Sequence, residues 1–185
     1  NWRMEIISSK DNKKIKEARK LLTKKYRKNS YLIEGFHLLE EALKAGRSIK
    51  QIFVEENKLT KLTEMIGSEK SLTDLSVNLV SKEVLKSLAD SESPQGLIAE
   101  VTKIEEVIDF SAAKFLLLEN VQDPGNVGTM IRTADAAGFS AVILLGETAD
   151  IYSPKVMRSM QGSNFHLPLV RMAKEDCFAQ LKKSG

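Results

Sequence analysis

The stretch ENVQDPGNVGTMIRTADAAG, residues 119–138, combines residue types and spacings that suggest chemistry. It lies between the apolar runs FLLL and AVILL, so we expect it to join a buried strand to a helix. Gly125 and Gly128 would let a ligand approach the backbone closely, and Pro124 would stiffen the turn. The first amides of a helix attract anions, so the loop is expected to hold a phosphate. Arg132 lies within the first turns of the helix, where its side chain could reach that phosphate.

A purely structural interpretation of this stretch stays open. Glycine, asparagine and aspartate are common in any tight turn, and an arginine on a helix often faces solvent. The sequence contains neither the GxxxxGK[ST] pattern of a P-loop nor the GxGxxG pattern of a dinucleotide site. The residues alone therefore predict either a phosphate-binding loop or a plain strand-to-helix connection.

The charge of the chain is unevenly distributed. The formal net charge is +3, but the first 30 residues carry 11 Lys and Arg against 3 Asp and Glu, which leaves −5 for the rest. Such a basic region indicates a polyanionic partner such as RNA, although a solvated helix face would look the same. The cations that we predict to contact RNA are Lys13, Lys14, Lys16, Arg19, Lys20, Lys24, Lys25, Arg27 and Lys28.

The composition is that of an ordinary globular protein, with 42% hydrophobic and 29% charged residues. The single cysteine, Cys177, has no disulfide partner in the chain, which favours a cytoplasmic location. The apolar runs are too short to span a bilayer, and the first residues do not resemble a signal peptide. His37 and His166 are expected to be surface or core residues, and no histidine or cysteine spacing predicts a metal site.

Alternating strand and helix patterns predict two α/β units. Residues 1–102 end at the strand LIAEVT, residues 103–112 are interpreted as a linker, and a second unit begins at residue 113. The runs FLLL and AVILL are typical of parallel strands buried on both faces. In such sheets ligands bind at the carboxyl ends of the strands, where the loop 120–128 is expected.

The stretch Asn120–Ala134 resembles motif 1 of the SpoU (TrmH) family of RNA methyltransferases. That motif reads N-x-x-D-P-x-N-x-G-x-x-x-R, which is far more specific than a lone glycine-rich loop. Its fixed positions are all present, as Asn120, Asp123, Pro124, Asn126, Gly128 and Arg132.

Other segments are also similar to this family. EGFHLLEEA resembles part of its amino-terminal substrate-binding domain, and SPQGLIAEV resembles the last strand of that domain, with Pro94 where many relatives carry histidine. SPKVMRSMQGSNFHLPLV resembles the segment after motif 1. The resemblance implies an L30e-like α/β sandwich, a SPOUT domain with a parallel sheet and a trefoil knot, and a homodimer. The further RNA-binding residues that it implies are Glu34, Gly35, Arg158 and Ser163.

The implied reaction moves a methyl group from S-adenosylmethionine to a ribose 2′-hydroxyl of RNA, with ribosomal RNA favoured over transfer RNA. In the family the motif 1 arginine, here Arg132, is proposed to activate the hydroxyl. A guanidinium stays protonated, so we expect it to grip a phosphate and offset the charge forming on O2′. Asn126 would orient Arg132 or the ribose, Asn120 would hold the loop, and Asp123 would fix the turn.

Motifs 2 and 3 of the family, which form most of the cofactor pocket, are not found up to Gly185. We therefore expect the cofactor-binding residues beyond Gly185, and we expect a protein ending there to bind RNA without transferring a methyl group. Two alternatives are a non-catalytic L30e-like RNA-binding protein and an unrelated phosphate-binding α/β protein. The intact motif 1 argues against the first, and the basic region argues against the second.

Overall fold

The computed structural model describes residues 5–67, 74–112 and 114–185. The chain divides into two compact units, one of Asn1–Lys103 with Tyr152–Pro154 and one of Ile104–Ile151 with Lys155–Gly185. Mixed helices and strands occur in both units, which agrees with the α/β class that the alternating pattern predicts.

The first unit is built on a mixed five-stranded sheet of order β1-β4-β3-β5-β2. The strand β5 is antiparallel to both of its neighbours, and the other pairs are parallel. The two-residue strand β1 was not predicted, because so short a segment carries no hydrophobic period. The strands are β1 Ile6–Ile7, β2 Ser30–Glu34, β3 Ile49–Glu55, β4 Val77–Val80 and β5 Leu97–Thr102.

Within the described residues of this unit, the helices are α1 Lys13–Arg19, α2 Phe36–Lys44, α3 Leu59–Ile66 and α4 Lys82–Ser87. The spacing of Ile15, Ala18, Leu21 and Leu22 predicts a helix with one apolar face through the basic region, but α1 ends at Arg19 and two 3-10 turns follow. The chain breaks at Thr23, which is extended, with φ −111° and ψ 129°. Ile15, Ala18 and Leu21 of this face are buried in one core cluster with residues of the sheet and of α4, and Leu22 packs against the cluster while partly buried.

The second unit contains a three-stranded parallel sheet of order β6-β7-β8. All five residues of the central strand are buried, as its continuous apolar run predicts. Cys177 packs against Ile143 and Leu145, and burial raises the pKa of its thiol. The elements are β6 Phe115–Glu119, α5 Pro124–Ala136, β7 Ala141–Leu145, α6 Pro154–Met160, β8 Leu169–Arg171 and α7 Lys174–Lys183.

The segment interpreted as a linker, residues 103–112, lies largely on the second unit. Ile108 and Phe110 pack against the cluster that contains Cys177, and the carboxylate of Glu106 accepts a hydrogen bond of 2.8 Å from the amide of Leu169. The charged and apolar residues of this segment show no helical or strand period, so its attachment depends on tertiary contacts.

Candidate active site

The carboxyl ends of β6, β7 and β8 meet at one edge of the parallel sheet, because the three strands run in the same direction. Two loops emerge there, residues 120–123 after β6 and residues 146–149 after β7. The first of them leads directly into α5. This edge therefore holds the motif that the sequence singled out.

Backbone and side-chain hydrogen bonds join these two loops. Oδ1 of Asn120 accepts a bond of 2.7 Å from the amide of Glu147, and the carbonyl of Val121 accepts one of 2.9 Å from the amide of Ala149. The hydroxyl of Thr148 accepts from the amide of Val121 at 3.3 Å. Asn120 thus holds the loop, with its backbone in the left-handed region at φ 57°.

Gly146 is explained by its closeness to Asn120. A Cβ atom at Gly146, where φ is 58°, would lie 2.4 Å from Oδ1 of Asn120. Any side chain there would displace the amide that holds the two loops together. Gly146 therefore leaves the space that the side chain of Asn120 needs to join the two loops.

Sequence reasoning missed Arg171, which braces the second loop from the end of β8. Its guanidinium donates to the carbonyl oxygens of Gly146, Thr148 and Ala149, at 3.0, 2.5 and 3.0 Å. The signal was an arginine at the carboxyl end of a short strand, directly after the apolar residues Leu169 and Val170. Without knowledge of the strand order, that position could not be assigned to the same edge as Asn120.

Asp123 caps α5. Its Oδ1 accepts a hydrogen bond of 2.9 Å from the amide of Asn126, and Pro124 occupies the first turn, where its missing N–H costs nothing. This arrangement is the turn-fixing role expected of Asp123. The side chain of Asn126 is exposed on the first turn.

Gly128 has a packing role that differs from the predicted one. We expected it to admit a ligand, but it is buried, and a Cβ atom there would lie 2.1 Å from Oγ and 2.6 Å from the carbonyl carbon of Ser159. The hydroxyl of Ser159 also donates to the carbonyl of Gly125 at 3.2 Å. Gly128 therefore lets α6 approach α5, and the expectation of ligand contact at this position was wrong.

Arg132 is exposed on α5, four residues after Gly128 and seven after Gly125, which places the three positions on one face. Long side chains on a helix lean towards its amino terminus, which here is the loop 120–123. Among the described residues, its guanidinium forms no hydrogen bond or ion pair. Side chains on a helix contact each other when they are three or four residues apart, and Asn126 is six residues from Arg132. The direct contact expected between these two side chains is therefore not seen in the described structure.

Two of the predicted RNA-binding side chains are buried. Arg27 is 6% exposed and donates to the carbonyl of Leu21 at 2.9 Å, so its guanidinium is committed to the interior. Ser163 is 4% exposed, and its hydroxyl donates to the carbonyl of Met160 at 2.7 Å. Neither side chain faces a surface where RNA would lie, which corrects their assignment. Arg158 is half-buried in the last turn of α6.

The remaining cations of the basic region are mostly at the surface. Arg19 is half-buried and donates to the carbonyl of Lys10 at 2.6 Å, and the ammonium of Lys14 donates to the side chain of Asn78 at 3.2 Å. The lysines that are exposed are Lys13, Lys14, Lys16, Lys20, Lys24, Lys25 and Lys28.

Glu34 and Gly35 organise a neighbouring loop of the first unit. The carboxylate of Glu34 accepts hydrogen bonds from the amide of Asp90 at 3.2 Å and from the hydroxyl of Ser91 at 2.7 Å. Gly35 has a φ of 96°, a conformation that suits glycine, and its amide donates to the carbonyl of Leu97. The structure therefore shows a positioning role for both residues.

Two family models match the chain. Residues 12–99 match the MRM3-like substrate binding domain, and residues 113–185 match the SpoU rRNA Methylase family. The 23S rRNA (guanosine(2553)-2′-O)-methyltransferase RlmP of Bacillus subtilis is 42% identical over 184 residues, which cover 98% of this chain and 71% of that protein. The chain belongs to the SpoU rRNA methylase family.

Other relatives agree with this membership. Human mitochondrial rRNA methyltransferase 3 is 33% identical over 147 residues, which cover 75% of this chain and 34% of that protein. The AdoMet-bound rRNA methyltransferase from Sinorhizobium meliloti superposes with a TM-score of 0.82 at 29% identity, over 98% of this chain and 70% of that one. These matches confirm the α/β fold class, the RNA methyltransferase activity of the family, and S-adenosylmethionine as its cofactor.

In the described ranges 5–67, 74–112 and 114–185, no helix has the length and apolar character that crossing a bilayer requires. The same ranges contain no group of three or more His, Cys, Asp or Glu residues that could hold a metal ion.

Proposed function

We propose that this chain supplies the RNA-binding unit and the catalytic loop of a 2′-O-methyltransferase that acts on large-subunit ribosomal RNA. The observation that carries the proposal is the exposed Arg132 on a loop–helix connection that hydrogen bonds hold rigidly. The similarity to RlmP, whose name specifies a guanosine of 23S rRNA, supports the substrate class.

Arg132 would act on the RNA side of the reaction. Its fork of donors fits the phosphate next to the target ribose, and its fixed positive charge would offset the negative charge that develops on O2′. A guanidinium stays protonated, so Arg132 would not accept the hydroxyl proton, which would pass to water as the O–CH3 bond forms and the S–CH3 bond of S-adenosylmethionine breaks. The methyl group comes from S-adenosylmethionine.

Asn120 and Asn126 would contribute differently to this site. The amide of Asn120 is engaged with the loop after β7, so it would position the loop rather than touch RNA. Asn126 presents an exposed amide on the first turn of α5, where it would bind the ribose or a neighbouring phosphate.

The cofactor fits this edge of the sheet only in part. The strand ends provide the place where ligands bind in parallel sheets. However, Arg171 already engages one lone pair on each of the carbonyl oxygens of Gly146, Thr148 and Ala149, so each has one acceptor position left for a nucleoside. The placement of most cofactor-binding residues outside this stretch therefore stays a prediction.

Two properties of the complete enzyme also belong to the proposal. Resemblance to the family supports a homodimer, which light scattering on the purified enzyme would measure. The single, buried Cys177 suits the reducing environment of the cytoplasm.

Replacement of Arg132 tests the proposed function. In an active preparation of the enzyme, Arg132→Ala should lower kcat for methyl transfer about 100-fold or more, while calorimetric titration shows S-adenosylmethionine binding largely unchanged. Arg132→Lys should recover little of the activity, because a point charge does not reproduce the bidentate fork.

Lys155→Ala is the matched control, since it removes one exposed positive charge from α6. It should keep kcat within about twofold of the unaltered enzyme, because surface substitutions away from a site have small effects. Near-normal turnover by Arg132→Ala would remove Arg132 from the chemistry, and near-normal turnover by Arg132→Lys would show that charge alone suffices.

A further inference from the structure

The first unit has a groove of about 640 Å³. Its lining residues lie between residues 55 and 96, so none of them belongs to α1. The 3-10 turn Glu56–Lys58 and α3 form one side, α4 forms another, and the loop 92–96 forms the floor. None of the residues predicted from sequence to contact RNA lines this groove.

The loop at the floor is held by the segment that follows β2. Glu34 accepts the amide of Asp90 and the hydroxyl of Ser91, and Oε1 of Gln95 would lie 3.0 Å from a Cβ atom on Gly35. The segments EG and SPQG, about 60 residues apart in the chain, therefore meet here. Glu34 is a positioning residue for the loop.

Gly96 brings the floor close to one wall. It is buried, its φ is 79°, and a Cβ atom there would lie 2.6 Å from Cγ of Lys58. The aliphatic stem of Lys58 thus packs over the glycine, which leaves the ammonium group at the groove. A larger residue at Gly96 would push this lysine away.

Four lysines line the groove against two carboxylates. Lys58 and Lys61 come from the turn and α3, and Lys82 and Lys86 lie four residues apart on one face of α4. Within the described ranges, Lys58, Lys82 and Lys86 form no hydrogen bond or ion pair. These positive charges therefore remain available to a ligand.

Lys61 is held towards the groove in a different way. Its ammonium lies 4.5 Å from the centre of the Phe36 ring, a distance typical of a cation–π contact. Phe36 is buried at the start of α2, directly after Gly35. The residues Glu34–Phe36 thus position both the floor and one of the cations.

We propose that this lysine-lined groove is a second RNA-backbone site of the first unit, which holds phosphates of the substrate through Lys58, Lys61, Lys82 and Lys86. The proposal rests on the RNA-methylating function given above. Two pairs of cations on facing elements suit a chain of phosphates that passes between them. Such contacts position RNA and carry no base readout.

RNA is favoured over a nucleotide or an acidic peptide. The groove is open and mixed in charge, without the glycine-rich turn that holds a single nucleotide phosphate. Its floor and walls belong to the region, residues 12–99, that matches a substrate-binding domain of rRNA methylases. An acidic peptide is the outcome that the experiment below would expose as an alternative.

Salt-dependent RNA binding tests the groove. Affinity for a fluorescein-labelled, mixed-sequence, single-stranded RNA is measured by fluorescence anisotropy over a range of KCl concentrations. The double substitution Lys82→Gln and Lys86→Gln should make the slope of log K against log salt less negative by about 1.4, since each lost phosphate contact removes about 0.7. Circular dichroism of each variant confirms that it is folded.

Lys182→Gln with Lys183→Gln is the matched control, because it removes the same charge from two exposed lysines of α7. It should leave the slope unchanged. An unchanged slope in the α4 variant, or equal losses in both variants, would overturn the groove while RNA binding by the chain would stand. No RNA binding by the unaltered chain would overturn both.

A second readout identifies the lysines individually. Acetylation by a lysine-reactive reagent, followed by mass spectrometry, should show Lys58, Lys61, Lys82 and Lys86 protected when the single-stranded RNA is bound. The acetylation of Lys182, measured in the same sample, serves as the internal reference for the amount of active reagent. Full reactivity of the four lysines in the RNA complex, or protection by a polyglutamate peptide and not by RNA, would contradict the proposal.

Discussion

Asn120 adopts a backbone conformation that few residues tolerate, with φ 57°, and its side chain supplies the bond between the two loops of the site. Asparagine visits the left-handed region more readily than most residues because its short polar side chain bonds locally. The same residue type therefore meets a backbone need and a hydrogen-bonding need. Arg132 differs, since its side chain is exposed and forms no hydrogen bond or ion pair with the described residues.

Substitutions at Asn120 separate these two needs. Asn120→Gly should lose only the hydrogen bond, about 1 kcal/mol of the free energy of unfolding, and Asn120→Ala should lose about 1 kcal/mol more through backbone strain. Asn120→Asp keeps an acceptor oxygen for the amide of Glu147 and should stay close to the original stability. Urea unfolding followed by circular dichroism measures the order.

The activity of Asn120→Asp then decides between positioning and chemistry. If Asn120 only holds the loop, a folded Asn120→Asp enzyme should keep most of its kcat. Loss of methyl transfer at unchanged stability would instead assign the amide N–H groups a direct contact with substrate.

At the scale of elements, the site depends on how closely α6 approaches α5. The contact is made through Gly128, where α6 presents Ser159. The loops 120–123 and 146–149 are joined to each other and braced by Arg171. The amino end of α5 is thus fixed from the sheet edge and from α6.

Gly128→Ala should destabilise the second unit by about 1–3 kcal/mol, because its methyl group would overlap Ser159 and force the two helices apart. The midpoint of urea unfolding measures this loss. Gly125→Ala is the comparison in the same helix, where a Cβ atom would lie 3.2 Å from the capping oxygen of Asp123, so that a shift of a few tenths of an ångström would suffice. Equal stability of both alanine variants would show that α5 and α6 do not need this close approach.

At the scale of the whole molecule, two cationic surfaces of the first unit are available to RNA. One consists of the exposed lysines of the basic region, and the other is the groove between α3 and α4. Since the formal net charge of the chain is only +3, the distribution of charge matters more than its sum. Outside the first 30 residues the formal net charge is −5.

Replacement of Lys13, Lys16 and Lys24 by glutamine should make the slope of log K against log salt less negative by about 2, because each lost phosphate contact removes about 0.7. Combined with the α4 double variant, the reductions should add, because separate sites without shared partners act independently. Fluorescence anisotropy with the same single-stranded RNA measures both. A slope that does not change with the three substitutions would exclude the basic region from RNA binding.

The sequence by itself determined those features that depend on local pattern. The positions of strands β6 and β7, the burial of β7 and the buried face of Ile15, Ala18 and Leu21 follow from spacing and residue type. The burial expected of β6 does not follow, since only Leu118 of that strand is buried. The motif from Asn120 to Arg132 was specific enough to identify the family.

Only the tertiary structure decided which distant residues meet. Burial of Arg27 and Ser163, contact of Gly128 with Ser159, and bracing by Arg171 depend on how separate segments pack, which no local period encodes. The lysine groove is a further case, because its walls come from segments that neither a charge run nor a motif connects. The physical reason is that side-chain exposure and contact are set by the packing of whole elements, while sequence patterns report only the face of one element at a time.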